Sequence, residues 1–202
     1  MSAVESLDRL KTLLAKLPGV GKRSADRMAV AMARNRDGYL SELASVIQQV
    51  SRDVVSCSLC GSMTPAAENP CRLCRDPRRD DALVCVVEEP GDIDLIEQTG
   101  LFRGRYHALM GRLAPARGDA SAVGRIQQLV QRVQKGGVKE IILALNSDLE
   151  SDATAQFLVE KLAATPVTIT RLARGIPAGS GLAYADTVTL QAAFKHRTSM
   201  NE

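Results

Sequence analysis

Apolar residues recur at helical spacing through the first quarter of the chain. Leu7, Leu10, Leu14 and Leu17 predict an amphipathic helix over residues 5–16. The pattern stops at Leu17-Pro18-Gly19-Val20-Gly21, where a proline and two glycines around one apolar residue predict a sharp turn rather than a long loop. A second helix restarts near Arg23-Ser24, with Ala25, Met28, Ala29 and Met32 as its inner side. A third is predicted over 41–55, with Leu43, Ile47, Val50 and Val54 turned inward and Glu42 favourable in its first turn.

From residue 82 the texture changes. Residues 82–87 are a continuous apolar run, as in a strand of a parallel sheet buried on both faces. Cys85 lies inside that run and is assigned to packing. A short helix over 92–98, a strand over 106–110 and a loop over 111–121 follow. Val123, Ile126, Val130 and Val133 then mark a helix, 139–145 a buried strand, 152–163 a helix and 167–172 a strand. Strands alternating with helices predict a parallel α/β sheet, so the chain reads as an α+β / α/β multidomain protein. Residues 75–81 read as a solvated, charged connector between the two textures.

Between them sit Cys57-Ser-Leu-Cys60 and Cys71-Arg-Leu-Cys74, four of the five cysteines. Two Cys-x-x-Cys knuckles offer four thiolates to one tetrahedral Zn²⁺, a structural arrangement with no open position for chemistry. Gly61 after the first pair and Pro70 before the second suit the turns that each knuckle needs. Two disulfides or a redox Cys-x-x-Cys are the alternatives. Neither an oxidising compartment nor a strand–helix redox context is indicated.

Composition narrows the classes. Of 202 residues, 24% are charged and 45% hydrophobic, an ordinary globular balance. No apolar run approaches the ~18 residues of a transmembrane helix, and the N-terminus lacks the pattern of a secretory signal, so a cytoplasmic protein without a membrane partner is expected. Net charge is only +3, but residues 1–36 carry eight Arg and Lys against three acids. That basic front makes a polyanion partner plausible. A helix, a Gly-Val-Gly turn and a second helix form a helix-hairpin-helix pattern. Gly19 and Gly21 let the backbone approach a phosphate, the second helix points its free N–H groups at it, and Lys22, Arg23 and Arg27 add charge. Such contacts hold DNA without reading its sequence. The bland alternative is an αα-hairpin with a solvated basic face. With no Trp, three Tyr and three Phe, an extensive base-stacking platform is not expected.

Carboxylates gather after two strands, where open α/β sheets bind ligands. Glu88, Glu89 and Asp92 follow the first, and Asp148, Glu150 and Asp152 follow the strand at 139–145. Glu88 with the Glu150-x-Asp152 pair could converge on Mg²⁺, which in an enzyme would support phosphoryl transfer. Two ordinary acidic loops would look the same. Tyr39, Tyr106 and Tyr184 lie in segments read as packing, so no nucleophilic tyrosine is assigned, and His107 and His196 read as packing or surface residues.

The order LPGVGKRSADRMA, the four-cysteine module, VVEEPGDI, RYHALMGRLAP, EIILALNSDLESDATA and RLARGIPAGSGLAYADTVTLQAAF resembles the RecR family of bacterial recombination mediators. The resemblance is co-linear over nearly the whole chain. It implies a helix-hairpin-helix domain over 1–55, a C4 zinc finger over 56–76, a Toprim domain over 80–175 and a C-terminal oligomerisation tail over 176–202. It further implies a homo-oligomer, a tetrameric ring or a dimer, that clamps DNA at the nucleoid. Such a clamp acts with RecO and, in many bacteria, RecF to load RecA on single-stranded DNA, and is not an enzyme. Arg23 and Arg27 match the family's basic positions, while Lys22 stands where proline is common. Glu88 matches the Toprim glutamate, and Glu150 and Asp152 match the acidic pair, with Ser151 in place of the usual glycine. Residues 117–124 lack the family's Gly-x-Gly-Pro wording. Gly175, Pro177 and Gly179 fit its Gly-x-Pro-x-Gly turn. A Mg²⁺-dependent Toprim nuclease or topoisomerase-like enzyme using Glu88, Glu150 and Asp152 is the alternative reading. A purely protein-binding zinc module is a third.

Overall fold

A computed structural model describes residues 3–113 and 122–199. The described residues fall into two compact units. One runs to Val55 and takes in Pro65–Ala67, and the other comprises Ser56–Thr64 and the chain from Glu68 onward.

In the first unit Ala3–Leu14 (α1) and Lys22–Arg34 (α2) pack as a hairpin around Ala25 and Ala29, which are fully buried. Two alanines at i and i+4 let the helices approach closely, since neither carries more than a methyl group. Lys11 links the pair by reaching both Asp8 at 3.1 Å and Asp26 at 3.7 Å. Met28, expected on the inner side, is 41% exposed. Ser41–Asp53 (α3) also departs from expectation. It ends two residues early, and Ile47 and Val50 are more than half exposed. The periodicity identified an apolar face, but within this chain that face is open to solvent.

The second unit is built on a four-stranded sheet. Its strands are Asp80–Val87 (β3), Gly104–Ala108 (β4), Glu140–Ala144 (β5) and Thr168–Arg171 (β6), after the short strands Val54–Ser56 (β1) and Met63–Pro65 (β2) and the one-turn helix Arg72–Arg75 (α4). The order is β4-β3-β5-β6, every pairing parallel. Strand β3 divides its side chains by period two. Val84 and Val86 enter one core with Leu129 and Leu158, contributed by the helices Val123–Gln134 (α6) and Leu149–Leu162 (α7). Cys85 and Val87 enter the other, with Tyr106, Ala108 and Ile93 of the helix Pro90–Gln98 (α5). That second core also contains Cys57, Cys60, Cys71 and Leu73. The cysteine module therefore shares its apolar contacts with the sheet, as so short a segment needs to. Residues 114–121 of the predicted loop, and with them most of the segment 117–124, lie outside the described residues.

Two sequence expectations are corrected here. The charged connector is not wholly solvated: Arg79 is buried, ion-pairs with Glu97, donates to the Gly104 carbonyl at 3.1 Å and lies over the Tyr106 ring. Of the three tyrosines, only Tyr106 is packed, its hydroxyl donating to Glu97 Oε1 at 2.6 Å; Tyr39 and Tyr184 are exposed. Glu97 thus satisfies both a buried cation and a buried phenol. Glu97→Ala is expected to destabilise the second unit by about 3 kcal/mol, because it leaves the Arg79 charge buried and unpaired. Urea unfolding monitored by circular dichroism checks this, and an unchanged midpoint would show that water reaches Arg79.

After β6, Ser180 donates to the Pro177 carbonyl at 3.0 Å, closing a turn. The helix Thr187–Lys195 (α8) follows, its N-terminus capped by Asp186. Among the described residues no helix is long and apolar enough to cross a membrane.

Candidate functional site

Three groups of side chains carry chemistry, and each is placed by a different element. The hairpin turn comes first. Gly19 has φ +75°, a left-handed conformation that disfavours any other residue, and Val20 N–H closes the turn on the Leu17 carbonyl at 3.1 Å. Gly21 is different. Its φ is −77°, and a Cβ there would meet nothing within 4 Å. Neither strain nor packing explains the glycine, but close approach of an outside group would. Gly21 is the N-cap of α2 and gives no side-chain cap to the first-turn N–H groups, which leaves them available to an anion. Lys22, Arg23 and Arg27 are all exposed on this end of the helix. The structure brings the five sequence-predicted residues together on one turn and the start of one helix.

The cysteine module comes second. Cys57, Cys60, Cys71 and Cys74 place their sulfur atoms within 4.8 Å of one another, the one such group of potential metal ligands among the described residues. Cys57–Cys74 and Cys60–Cys71 are 3.8 and 3.6 Å apart. A tetrahedron with zinc–thiolate bonds of ~2.3 Å has edges of ~3.8 Å, so the four sulfurs fit one ion. Disulfides do not describe them, since all five cysteines are free thiols. Backbone donors already point at the sulfurs: Cys71 N–H to Cys57 Sγ at 3.3 Å, and Ser62 N–H to Cys60 Sγ at 3.5 Å. At Cys57, burial opposes ionisation, but the N–H groups of Cys71, Cys60 and Leu59 outweigh it and bring the thiol to about 6. At Cys60, contact with Cys74 and burial push the thiol well up. Crowded sulfurs of this kind favour a cation that ionises them together.

The acids come third. They lie beyond the carboxyl ends of the strands, as the sequence predicted, but they face arginine and amide partners rather than one another. Glu88, at the end of β3, is buried and accepts from Asn146 N–H at 3.1 Å and Asn146 Nδ2 at 2.6 Å. Asp148 caps α7 by accepting from Ser151 N–H and ion-pairs with Arg112 at 2.6 Å. That N–H lowers the Asp148 pKa most, burial opposes it, and Arg112 adds to the lowering. Glu150 lies 3.5 Å from Arg112 Nε, and Asp152 ion-pairs with Arg171 at 2.6 Å and Arg174 at 2.5 Å. Glu89 and Asp92 close a capping box at the start of α5, a structural task. Met110, beside this cluster, is the one non-glycine residue with positive φ among those described, at 60°.

Residues that sequence patterns did not single out complete the picture. Arg112, Arg171 and Arg174 supply the cations for the acids. Arg125 and Arg132 of α6 face β4 and the cysteine module. Their seven-residue spacing puts both on one helix face, a signal present in the sequence beside the apolar positions.

Comparison with known proteins follows the same division. Residues 7–51 match the family model described as RecR, helix-hairpin-helix, residues 82–173 the Toprim domain, and residues 175–198 RecR, C-terminal. The Recombination protein RecR of Anaeromyxobacter sp. (strain Fw109-5) is 42% identical over 200 residues, covering 99% of this chain and 100% of that relative. That of Thermobifida fusca (strain YX) is 43% identical over 188 residues, 93% of this chain and 94% of its own length. That of Leifsonia xyli subsp. xyli (strain CTCB07) is 44% identical over 188 residues, again 93% and 94%. Similarity at this level, running over nearly the full length of both partners and through three consecutive domain models, shows that the chain belongs to the RecR family of recombination proteins.

Proposed function

We propose that this chain is a recombination mediator without enzymatic activity of its own, a homo-oligomeric clamp that binds DNA independently of sequence. In this reading it acts in the cytoplasm, at the nucleoid, with RecO and, in organisms that use it, RecF, to load RecA on single-stranded DNA. The observation that carries the proposal is the start of α2: an uncapped helix N-terminus, an unencumbered Gly21 and three exposed cations on one turn. Each hairpin is a small phosphate site, and a ring multiplies it by the number of subunits. Open apolar faces fit an oligomer. On α3 Ile47 and Val50 are exposed, and in the C-terminal segment Tyr184 is 89% and Phe194 72% exposed. A second copy of the chain would cover such faces.

Zn²⁺ is the ion we assign to the four cysteines, with a structural role. We assign the acids at the strand ends to a contact with a partner, RecO first, or to a structural Mg²⁺. The ion pairs of Arg112 with Glu150 and of Arg171 and Arg174 with Asp152 support the partner contact over a metal site, because a Mg²⁺ there, catalytic or structural, would have to displace them.

One incubation with end-labelled gapped DNA and Mg²⁺, read on native and denaturing gels, tests the proposal. A salt-sensitive shift with intact DNA supports the clamp. Shortened DNA that disappears with Glu150→Ala overturns it in favour of the enzyme. The turn itself makes a sharper prediction. Gly21→Ala is expected to lower stability by less than about 1 kcal/mol, since alanine is a poorer N-cap than glycine, and to weaken DNA binding about tenfold, the cost of one missing charge-assisted hydrogen bond. Gly19→Ala is expected to cost about 1 kcal/mol of stability, because alanine resists positive φ. If Gly21→Ala binds DNA as the parent does, the backbone is not part of the phosphate site.

A further inference from the structure

The first knuckle and α6 meet in a way that a bare four-cysteine site does not require. Arg125 donates from Nη2 to the Leu59 carbonyl at 3.3 Å, inside the knuckle, and from Nε to the Ala108 carbonyl at 2.8 Å, at the end of β4. Ala108 N–H in turn donates to the Cys60 carbonyl at 2.7 Å. Gln128, one helical turn on, holds the third side of the guanidinium at 2.6 Å. The fit is close. A Cβ on Gly61, whose φ is +86°, would lie 3.1 Å from Arg125 Nη2 and 3.2 Å from Ala108 Cβ.

Two turns along the same helix face, Arg132 donates to the Tyr106 carbonyl at 3.1 Å and lines a cavity of about 350 Å³ with Cys74, Leu59 and Arg105. Arg105 answers its own charge with Asp81 at 2.6 Å. Arg125 and Arg132, both half-buried, donate instead to carbonyl and amide oxygens. A buried guanidinium needs a counter-charge, and neutral oxygens do not provide one; Asp81, already paired with Arg105, also acts on Arg132, so the shortfall is greatest at Arg125.

A divalent cation bound by four thiolates carries a net charge of about 2−. Two arginines beside it would balance that charge. We propose that Arg125 and Arg132 are positioning residues of the metal site, compensating the charge of a zinc tetrathiolate while Arg125 latches the first knuckle onto β4. This inference rests on the assignment of zinc to the four cysteines. The electrostatics agree with the geometry. Burial lowers the pKa of each guanidinium, while Cys60, Cys57 and Cys74 oppose the loss of charge at Arg125, and Cys74, Asp81 and Cys60 oppose it at Arg132. His107 sits between the two and donates from Nε2 to the Arg125 carbonyl at 2.9 Å. Burial, then Arg125, holds its pKa down to about 3, so it adds no third cation. Zinc retention and the attachment of the module to the α/β sheet are then one event. Losing the ion strands two half-buried cations and loosens the knuckle they hold.

The test uses the full chain, with zinc affinity measured by competition with a chromophoric chelator and the metal's surroundings by the sulfur-to-metal charge-transfer band of the Co²⁺-substituted protein. Arg125→Gln and Arg132→Gln are each expected to weaken zinc about tenfold or more, the usual scale for groups that orient or balance a metal's ligands. Both should also move the charge-transfer band to lower energy, because sulfur electrons are less stabilised without the nearby cation. Arg132→Lys, which keeps the charge, is expected to restore affinity and band position. Charge compensation is overturned if the glutamine variants bind zinc within about twofold of the parent, well short of that scale, or if Arg132→Lys behaves as Arg132→Gln. A parent protein that takes up no zinc would instead remove the zinc assignment, and this inference with it.

Discussion

Cys60→Ser is expected to abolish stoichiometric zinc and to lower the melting temperature of the second unit by about 10 °C or more. Cys60 is fully buried and belongs to the same core as Val87, Ile93 and Tyr106, so the loss is not confined to the knuckle. Structural zinc contributes to folding directly, because the unfolded chain has no site for it. Even a net loss of about 4 kcal/mol translates to about 10 °C in a unit of this size. Cys85→Ala is the control. It removes a buried thiol from the same core, where burial pushes the Cys85 pKa up to about 12, but takes no ligand from the cluster. It should cost about 1 kcal/mol and keep the zinc. Metal analysis of reduced protein and thermal melts decide the matter. A Cys60→Ser protein that melts with its parent would mean that the module adds nothing to the unit.

The second large effect is expected at the hairpin. Replacing Lys22, Arg23 and Arg27 together by glutamine should weaken binding to gapped DNA by about 100-fold. It should also flatten the salt dependence, by about 0.9 in the log–log slope for each phosphate that is no longer neutralised. All three side chains are exposed and the buried seam of the hairpin is Ala25 and Ala29, so the fold should not change. The weakening should be equal for unrelated DNA sequences, because phosphate contacts carry no base information. Fluorescence anisotropy at several salt concentrations measures affinity and slope in one titration. An unchanged affinity and slope would place the DNA site elsewhere, and a parent that binds no DNA would favour a module that binds only proteins.

These two sites were legible for the same reason. The Leu-Pro-Gly-Val-Gly turn and the two Cys-x-x-Cys knuckles are local arrangements, whose geometry is set by residues a few positions apart. The alternation of strands and helices from residue 82 was readable in the same way, and β3, β5 and α6 fall where the apolar spacing puts them. The acids were located but not their company. Glu88 meets Asn146 across 58 positions, and Asp152 meets Arg171 and Arg174 from another strand end. No spacing rule connects residues that only a parallel sheet brings side by side.

Sequence alone determined the class of each part: a helical hairpin with a cationic turn, a four-cysteine cluster and a parallel α/β sheet with carboxylates at its strand ends. Each follows from backbone propensity, side-chain periodicity or ligand spacing, which act within short continuous stretches of chain. Tertiary structure alone decided which charges have partners and which faces are covered. It buried Arg79 against Glu97, set Arg125 and Arg132 beside the cysteine module, and left Ile47 and Val50 of α3 in solvent. Periodicity shows that a face must be covered, but burial and charge pairing depend on what the rest of the fold brings to it.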